Sequence, residues 1–381
     1  MKKNNRIGFL SCFALALVAV FALSAVLVGC DKSGVQTAKP GVFDALKGQS
    51  DSVILFIGDG MGENHVKVAE AYLEKDMFFS GFATTGYMST NCLSNFQPTD
   101  SAAAASAMST GEKYSRGAVA FKNGKNVDTI SEYAKSIGKG VGIVTTDVLS
   151  GATPAGFSAH CANRSNKDEI VESQLNSGID LFLGTGVNND DAEDTVHYAD
   201  YKSRFAEKGY AYCDKFDQLS LDCDKIVGAF SEIASFEPTN ETPTLAQLAA
   251  FAVDFLENKY PNGYFLMIEG AYIDKASSKK DVFGMVEYLD AFDDSVEAVS
   301  EKLKTKNHAM IVTADHETGD LQYNGESRDE ISNALFNSFY HSKADVRFFV
   351  DFRLKTEGFV MPDKIDNTDV FTICKNLIGP Q

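Results

Sequence analysis

The chain has 381 residues, 44% of them apolar, with 53 acidic side chains against 35 basic ones and a formal charge of −18. That length and apolar content allow a sizeable core and exclude a disordered chain, while the acidity excludes a surface built to hold nucleic acid or anionic lipid. The same acidity suits either plain solubility or carboxylates gathered around divalent cations, and composition does not choose between them.

Lys2, Lys3 and Arg6 precede an apolar run from Ile7 to Val28 that closes on Leu27-Val28-Gly29-Cys30. A short basic segment, an apolar segment and small residues before a cut site predict a secretory signal over residues 1–29. Leu-Val-Gly-Cys is similar to the bacterial lipobox, which implies a lipid on Cys30 as the first mature residue and an extracytoplasmic, membrane-tethered protein. A plain transmembrane anchor is the alternative, because the run is nearly long enough to span a bilayer. Residues 30–50, with Gly34, Pro40, Gly41 and Gly48, read as a tether. The folded body is expected over 51–381. Beyond Cys12 and Cys30 the cysteines are Cys92, Cys161, Cys213, Cys223 and Cys374, none with the paired spacing of a structural zinc site. Cys213 and Cys223 are near enough in sequence to close a small loop, and spacing leaves their pairing open.

Short apolar runs recur along the body, each followed at once by polar residues: 53–57, 141–144, 264–268, 310–312 and 346–350. Continuous runs of this length suit strands buried on both faces of a mostly parallel sheet. Helical patterns over 129–137, 245–256 and 285–303 alternate with them, and Asn367 or Thr368 is placed to cap a last helix through Ile373 and Leu377. The predicted fold class is therefore α/β, a doubly wound sheet with helices on both faces. The polar, aromatic-rich stretch 188–241 is expected to be an inserted cap or side lobe. In such a sheet ligands bind beyond the carboxyl ends of the strands. The segments to inspect are thus Gly58-Asp59-Gly60, Thr145-Thr146-Asp147, Glu269-Gly270, Thr313-Ala314-Asp315-His316 and the approach to the last strand, which carries His341.

Asp59, Glu269, Asp274, Asp315 and His316 fall at or just after strand ends, so one rim can gather them, and carboxylates with a histidine are ligands that zinc and magnesium accept. Ser101 follows Thr99-Asp100 at the start of an alanine-rich helix, where free N–H groups and the helix dipole favour an anion.

Five strings in order, Ile57-Gly58-Asp59-Gly60-Met61-Gly62, Asp100-Ser101-Ala102-Ala103, Ala152-Thr153-Pro154-Ala155, Glu269-Gly270-Ala271-Tyr272-Ile273-Asp274 and Thr313-Ala314-Asp315-His316-Glu317-Thr318-Gly319, resemble the successive motifs of alkaline phosphatases. The resemblance implies hydrolysis of small phosphate monoesters through a phosphoserine at Ser101, with Arg164 gripping two phosphate oxygens and Asp100 orienting it. It implies one Zn2+ on Asp59, Asp315 and His316, a second Zn2+ with Asp274 and His341 as matched ligands, and Mg2+ on Asp59, Thr153 and Glu269. It is also compatible with a homodimer.

Two departures stand out. Four residues after Asp274 the family places a histidine and this chain has Ser278, a poor zinc ligand, so the second zinc keeps only two matched side chains. Gly151 stands where relatives often carry a carboxylate or histidine near the magnesium. The rival readings are a phosphodiesterase or sulfatase of the same superfamily and a non-catalytic phosphate- or metal-binding lipoprotein. The sulfatase nucleophile pattern is missing after Ser101, and a two-oxygen grip by Arg164 suits a terminal phosphate.

Overall fold

Every residue of Ser52–Gly58 is buried, as a continuous apolar run in a two-sided sheet requires. A computed structural model describes residues 41–94, 96–187, 196–355 and 359–380. In chain order its strands are β1 (Ser52–Gly58), β2 (Thr84–Ser89), the pair β3 (Phe121–Lys122) and β4 (Lys125–Asn126), β5 (Gly140–Val148), β6 (Leu181–Thr185), β7 (Tyr210–Cys213), β8 (Lys225–Phe230), β9 (Tyr264–Gly270), β10 (His308–Thr313), β11 (Leu321–Gln322), β12 (Leu335–Phe336), β13 (Val346–Arg353) and β14 (Lys364–Asp366). Among the described residues the main sheet runs β14-β2-β13-β10-β1-β9-β5-β6-β8-β7. From β10 to β7 all neighbours are parallel, and β13 is antiparallel to both β10 and β2.

Helices cover both faces. Leu245–Lys259 and Val282–Leu303 pack together on one, and Ser101–Thr110, Ile130–Ser136, Ala152–Ser158 and Asp369–Ile378 gather on the other. Their starts follow the expected chemistry. Thr129 with Glu132 and Thr244 with Gln247 form reciprocal caps, each hydroxyl accepting a backbone N–H while the longer side chain reaches back. The last helix departs from expectation. Thr368 occupies the cap position without a capping bond, and its hydroxyl donates to Asp366 Oδ1 at 2.7 Å.

Two further expectations change. Within the predicted tether, residues 41–50 pack on the body: Phe43 and Leu46 are buried, and the backbone of Gly48 and Ser50 donates to the carbonyls of Asn376 and Leu377. Two apolar side chains three apart on a short 3-10 turn suffice to dock a segment whose glycines suggest a linker. In the stretch expected to be a cap, β7 and β8 extend the edge of the main sheet, because Ile226–Phe230 is one more short buried run. The signal segment, Cys30 and residues 188–195 lie outside the described residues. Among those described, no helix is long and apolar enough to cross a membrane.

The four adjacent strands β10, β1, β9 and β5 are in register at their carboxyl ends, where Ile57 stands between Thr313 and Glu269, and Glu269 stands opposite Thr145. Ile57 and Thr313, 256 positions apart, thereby meet at one rim.

Candidate metal centre and nucleophile

Asp59 leaves β1 at that rim and is buried, and its N–H donates to Gly270 O at 3.1 Å. Gly60 then turns with φ +75°. A Cβ there would lie 2.8 Å from Thr318 Oγ1 and 3.0 Å from the Asp274 Cα, so only glycine lets the β1, β9 and β10 loops close together. From β10 come Asp315 and His316, both fully buried, with Asp315 Oδ1 accepting from the N–H groups of Gly60 (3.1 Å) and His316 (3.0 Å).

His316 Nε2 is the centre of a convergence. Asp315 Oδ2 lies 3.2 Å away, Asp59 Oδ1 3.5 Å and Ser101 Oγ 3.3 Å. One ring nitrogen carries at most one proton, and burial, with His341 adding to it, pushes the imidazole pKa well below its usual value. Burial, with the neighbouring carboxylates Asp315, Asp274 and Glu269 next, raises that of Asp59. Asp59 Oδ1, Asp315 Oδ2 and Thr153 Oγ1 are buried with no hydrogen-bond partner among the described residues. Crowded carboxylates, a neutral imidazole and orphaned oxygens are costly together, and a divalent cation satisfies them all. The donor set therefore fits a metal.

Among the described residues, two groups have ligand atoms within 4.8 Å of one another: Asp59, Asp315 and His316, and Asp274, His316 and His341. Asp274 sits on the short helix Tyr272–Ser278, where its Oδ1 accepts from Thr318 Oγ1 at 2.5 Å. The ring of His341 stacks on that of His316 with centroids 3.5 Å apart. Its Nδ1 lies 2.9 Å from Thr99 O, a donor position that leaves the Nε2 lone pair facing Asp274 Oδ1 at 3.6 Å. Ser278 ends the helix, half-buried. Both groups draw on His316, so the second owns only Asp274 and His341, the two ligands matched from sequence.

The third expected set also meets. Glu269 Oε2 accepts from Thr145 Oγ1 at 2.5 Å, and Thr153, on the first turn of Ala152–Ser158, approaches the same carboxylate without completing a hydrogen bond. Burial, then the charge of Asp147, pushes Glu269 up to about 8.

Ser101 opens a wholly buried ten-residue helix, which its alanines permit by packing small side chains against Ala152–Ser158. Asp100 caps it, accepting from Ala103 N (3.1 Å) and Gly117 N (3.0 Å), and its Oδ2 meets Arg164 Nη1 at 3.4 Å. Arg164 itself is anchored through its backbone N–H to Gly117 O at 2.7 Å, with its side chain over a third exposed. All ten expected site residues thus fall in one region.

A family model for alkaline phosphatase matches residues 50–355. The chain belongs to the alkaline phosphatase family. It is 30% identical to alkaline phosphatase 4 of Bacillus subtilis (strain 168) over 340 residues, covering 84% of this chain and 72% of that one. It is 32% identical to alkaline phosphatase 3 of the same organism over 330 residues, covering 80% and 68%. The solved alkaline phosphatase of the Antarctic bacterium TAB5 superposes with a TM-score of 0.73 at 24% identity, over 87% of this chain and 98% of that chain, a likeness of fold. A TAB5 mutant with Mg bound in its M3 site gives 0.74 at 23% identity, over 87% and 99%. Membership makes the chain a metal-dependent phosphatase acting on phosphate monoesters.

The other histidines among the described residues, His65, His160, His197 and His308, do not join either metal group of the site. His65 is buried beneath it, its Nε2 3.1 Å from Ser277 Oγ, with burial lowering its pKa to about 3. His160 pairs with Glu132 instead. Thr99, Thr145, Thr318, Asp147 and Lys275 were not assigned roles. Only Thr145 and Asp147, in a segment immediately after a strand run, carried a signal that could have found them. All five cysteines of the body are free thiols.

Proposed function

We propose that the protein hydrolyses phosphate monoesters through a covalent phosphoserine on Ser101, outside the cytoplasm. One observation carries the reading: Ser101 Oγ, at the amino end of a capped and buried helix, lies 3.3 Å from His316 Nε2, the nitrogen on which Asp59 and Asp315 converge. Asp59, Asp315 and His316 would hold one zinc, Asp274 and His341 would contribute to a second, and Asp59, Thr153 and Glu269 would hold magnesium. When bound, such ions favour the alkoxide of a neighbouring hydroxyl and offset charge on phosphoryl oxygens.

The chain's own groups supply the rest. Asp100 holds the helix start and Arg164 together, so the guanidinium faces the phosphoryl group with its planar donors. Ser101 Oγ attacks phosphorus in line, forming the Oγ–P bond as the bond to the departing alcohol oxygen breaks, the hydroxyl proton of Ser101 passing through solvent to that oxygen. Water entering from the vacated side then cleaves the Oγ–P bond, releasing inorganic phosphate and returning a proton to Ser101. The helix N-terminus and Arg164 stabilise charge on the non-bridging oxygens in both halves.

Incubation with radiolabelled phosphate at low pH, followed by acid quench, should label the wild type and not Ser101→Ala. An unlabelled wild type that still turns over a monoester chromogen would sink the phosphoserine. A diester chromogen should be hydrolysed far more slowly than the monoester. The extracytoplasmic placement rests on residues 1–30. Cys30→Ser should release the protein from the membrane fraction or block its maturation, and an uncleaved, detergent-extracted chain would favour the transmembrane anchor.

A further inference from the structure

The end of β5 is irregular. It pairs with β9 in register up to Thr145 opposite Glu269, but its register with β6 shifts between Val144 and Val148. The residues within that shift include Thr146 and Asp147, and such bulges re-aim side chains beside sites. Here the bulge is wired to Glu269. Asp147 N donates to Thr145 Oγ1 at 2.9 Å, and that hydroxyl donates to Glu269 Oε2. Thr146 Oγ1 accepts from Ala271 N, tying the bulge to the segment after β9.

The Asp147 carboxylate occupies the space over the first turn of the helix that carries Thr153. A Cβ built on Gly151 would stand 3.0 Å from Asp147 Oδ2 and 2.8 Å from Val148 O, so the bulge excludes a side chain at 151 and puts its own carboxylate there. Asp147 Oδ1 pairs with Lys275 Nζ at 2.7 Å, and Lys275 is next to Asp274 in the chain. The pair is about four-fifths buried on each side, where charges are weakly screened. An independent mark of a cation site lies beside it, the orphaned and buried Thr153 Oγ1.

We propose that Asp147 is a positioning residue for the hard cation of Asp59, Thr153 and Glu269, setting its affinity from just outside the ligand set, with Lys275 holding the carboxylate and opposing it in charge. The inference rests on the magnesium reading of those three residues. It makes Asp147 and Lys275 act in opposite directions: one adds negative potential at the cation and the other subtracts it. A role confined to holding the bulge together has no such sign.

The test is calorimetric titration of MgCl2 into the full chain, loaded with zinc and stripped of magnesium, for the wild type, Asp147→Asn, Lys275→Gln and Thr153→Ala. Asp147→Asn should weaken magnesium binding by about tenfold or more, as loss of an outer partner of a metal site does. Its lowered turnover should be regained at high MgCl2. Lys275→Gln should tighten magnesium binding, and Thr153→Ala should weaken it. Unchanged affinity in Asp147→Asn with weakened affinity in Thr153→Ala overturns the proposal. So does a shift of the same sign in Asp147→Asn and Lys275→Gln. If Thr153→Ala leaves magnesium binding unchanged, the magnesium site itself is misassigned and the proposal falls with it. Should Asp147→Asn fail to fold, Lys275→Gln decides alone, and weaker or unchanged binding there counts against the proposal.

Discussion

The two metal groups that share His316 differ in how they are held. Asp59, Asp315 and His316 come from the ends of two adjacent strands, are almost wholly buried, and sit on backbone donors from Gly60 and His316. Asp274 and His341 come from a seven-residue helix and a loop, each side chain with 19% of its surface exposed, and Ser278 stands one turn beyond Asp274. A ligand set on strand ends is preorganised by the sheet, so binding a cation there costs little ordering. A set on a helix and a loop is held at fewer points, here the bond from Thr318 to Asp274 and the contact of His341 with Thr99 O, so more of its ordering falls to the cation. The deep group should therefore keep its metal when the open group loses its own.

The strongest test removes Ser101, the proposed nucleophile, which lies against the deep group. Ser101→Ala should lower monoester turnover by on the order of a thousandfold or more, with metal content and unfolding midpoint nearly unchanged. Most of the turnover surviving in this variant would break the link between the deep group and the chemistry.

Next in size is the direct contrast of the two groups. Asp315→Asn should weaken tight zinc binding by more than about a hundredfold, beyond what outer partners contribute, and lower the unfolding midpoint. Asp274→Asn should affect only weakly held metal. Equal losses in zinc titrations of the two variants would erase the distinction.

Arg164→Ala should cost roughly 1.5–3 kcal/mol in kcat/KM, the range for charge-assisted hydrogen bonds, and weaken inhibition by phosphate similarly. Phosphate inhibition unchanged by the substitution would put Arg164 outside the pocket. A smaller gain is expected from Ser278→His, which places a histidine four residues after Asp274 on the same helical face. It should bind one further zinc and turn over a few-fold faster with zinc supplied. Two tight zincs in the wild type would show that the open group is already complete.

The smallest effect concerns pH in metal-free protein. Burial raises Glu269 from an ordinary 4.5 to about 8, so between those values the folded state binds a proton that the unfolded state has released. That group by itself makes stability fall as pH rises from about 4.5 towards 8, while the lowered imidazoles of His65, His308 and His316 act in the opposite sense below their ordinary value. Relative to wild type, Glu269→Gln should therefore remove a downward component from the pH profile of the unfolding midpoint of the chelated protein across that window. An unchanged profile in that variant would contradict the assignment.

Much of this was legible in the amino-acid sequence, because strand runs and the polar residues that follow them are local signals. The strands β1, β5, β9, β10 and β13, the α/β class, and the positions of Asp59, Glu269, Asp315 and His316 at strand ends all follow from short apolar runs and the rule that ligands bind beyond parallel strands. The nucleophile and Arg164 needed motif resemblance as well, since a serine at a helix start reads equally as a cap. What only the tertiary structure decided are the pairings between distant segments. Phe43 and Leu46 dock a stretch whose glycines suggest a tether, and β7 and β8 join the sheet's edge. Thr99 O orients His341 from 242 residues away, and the β5 bulge carries Asp147 into the space that Gly151 leaves. Periodicity reports which face a residue turns to the core, but a bulge changes that face through pairing with a neighbouring strand. The partner strand lies tens of residues away, and no local pattern records it.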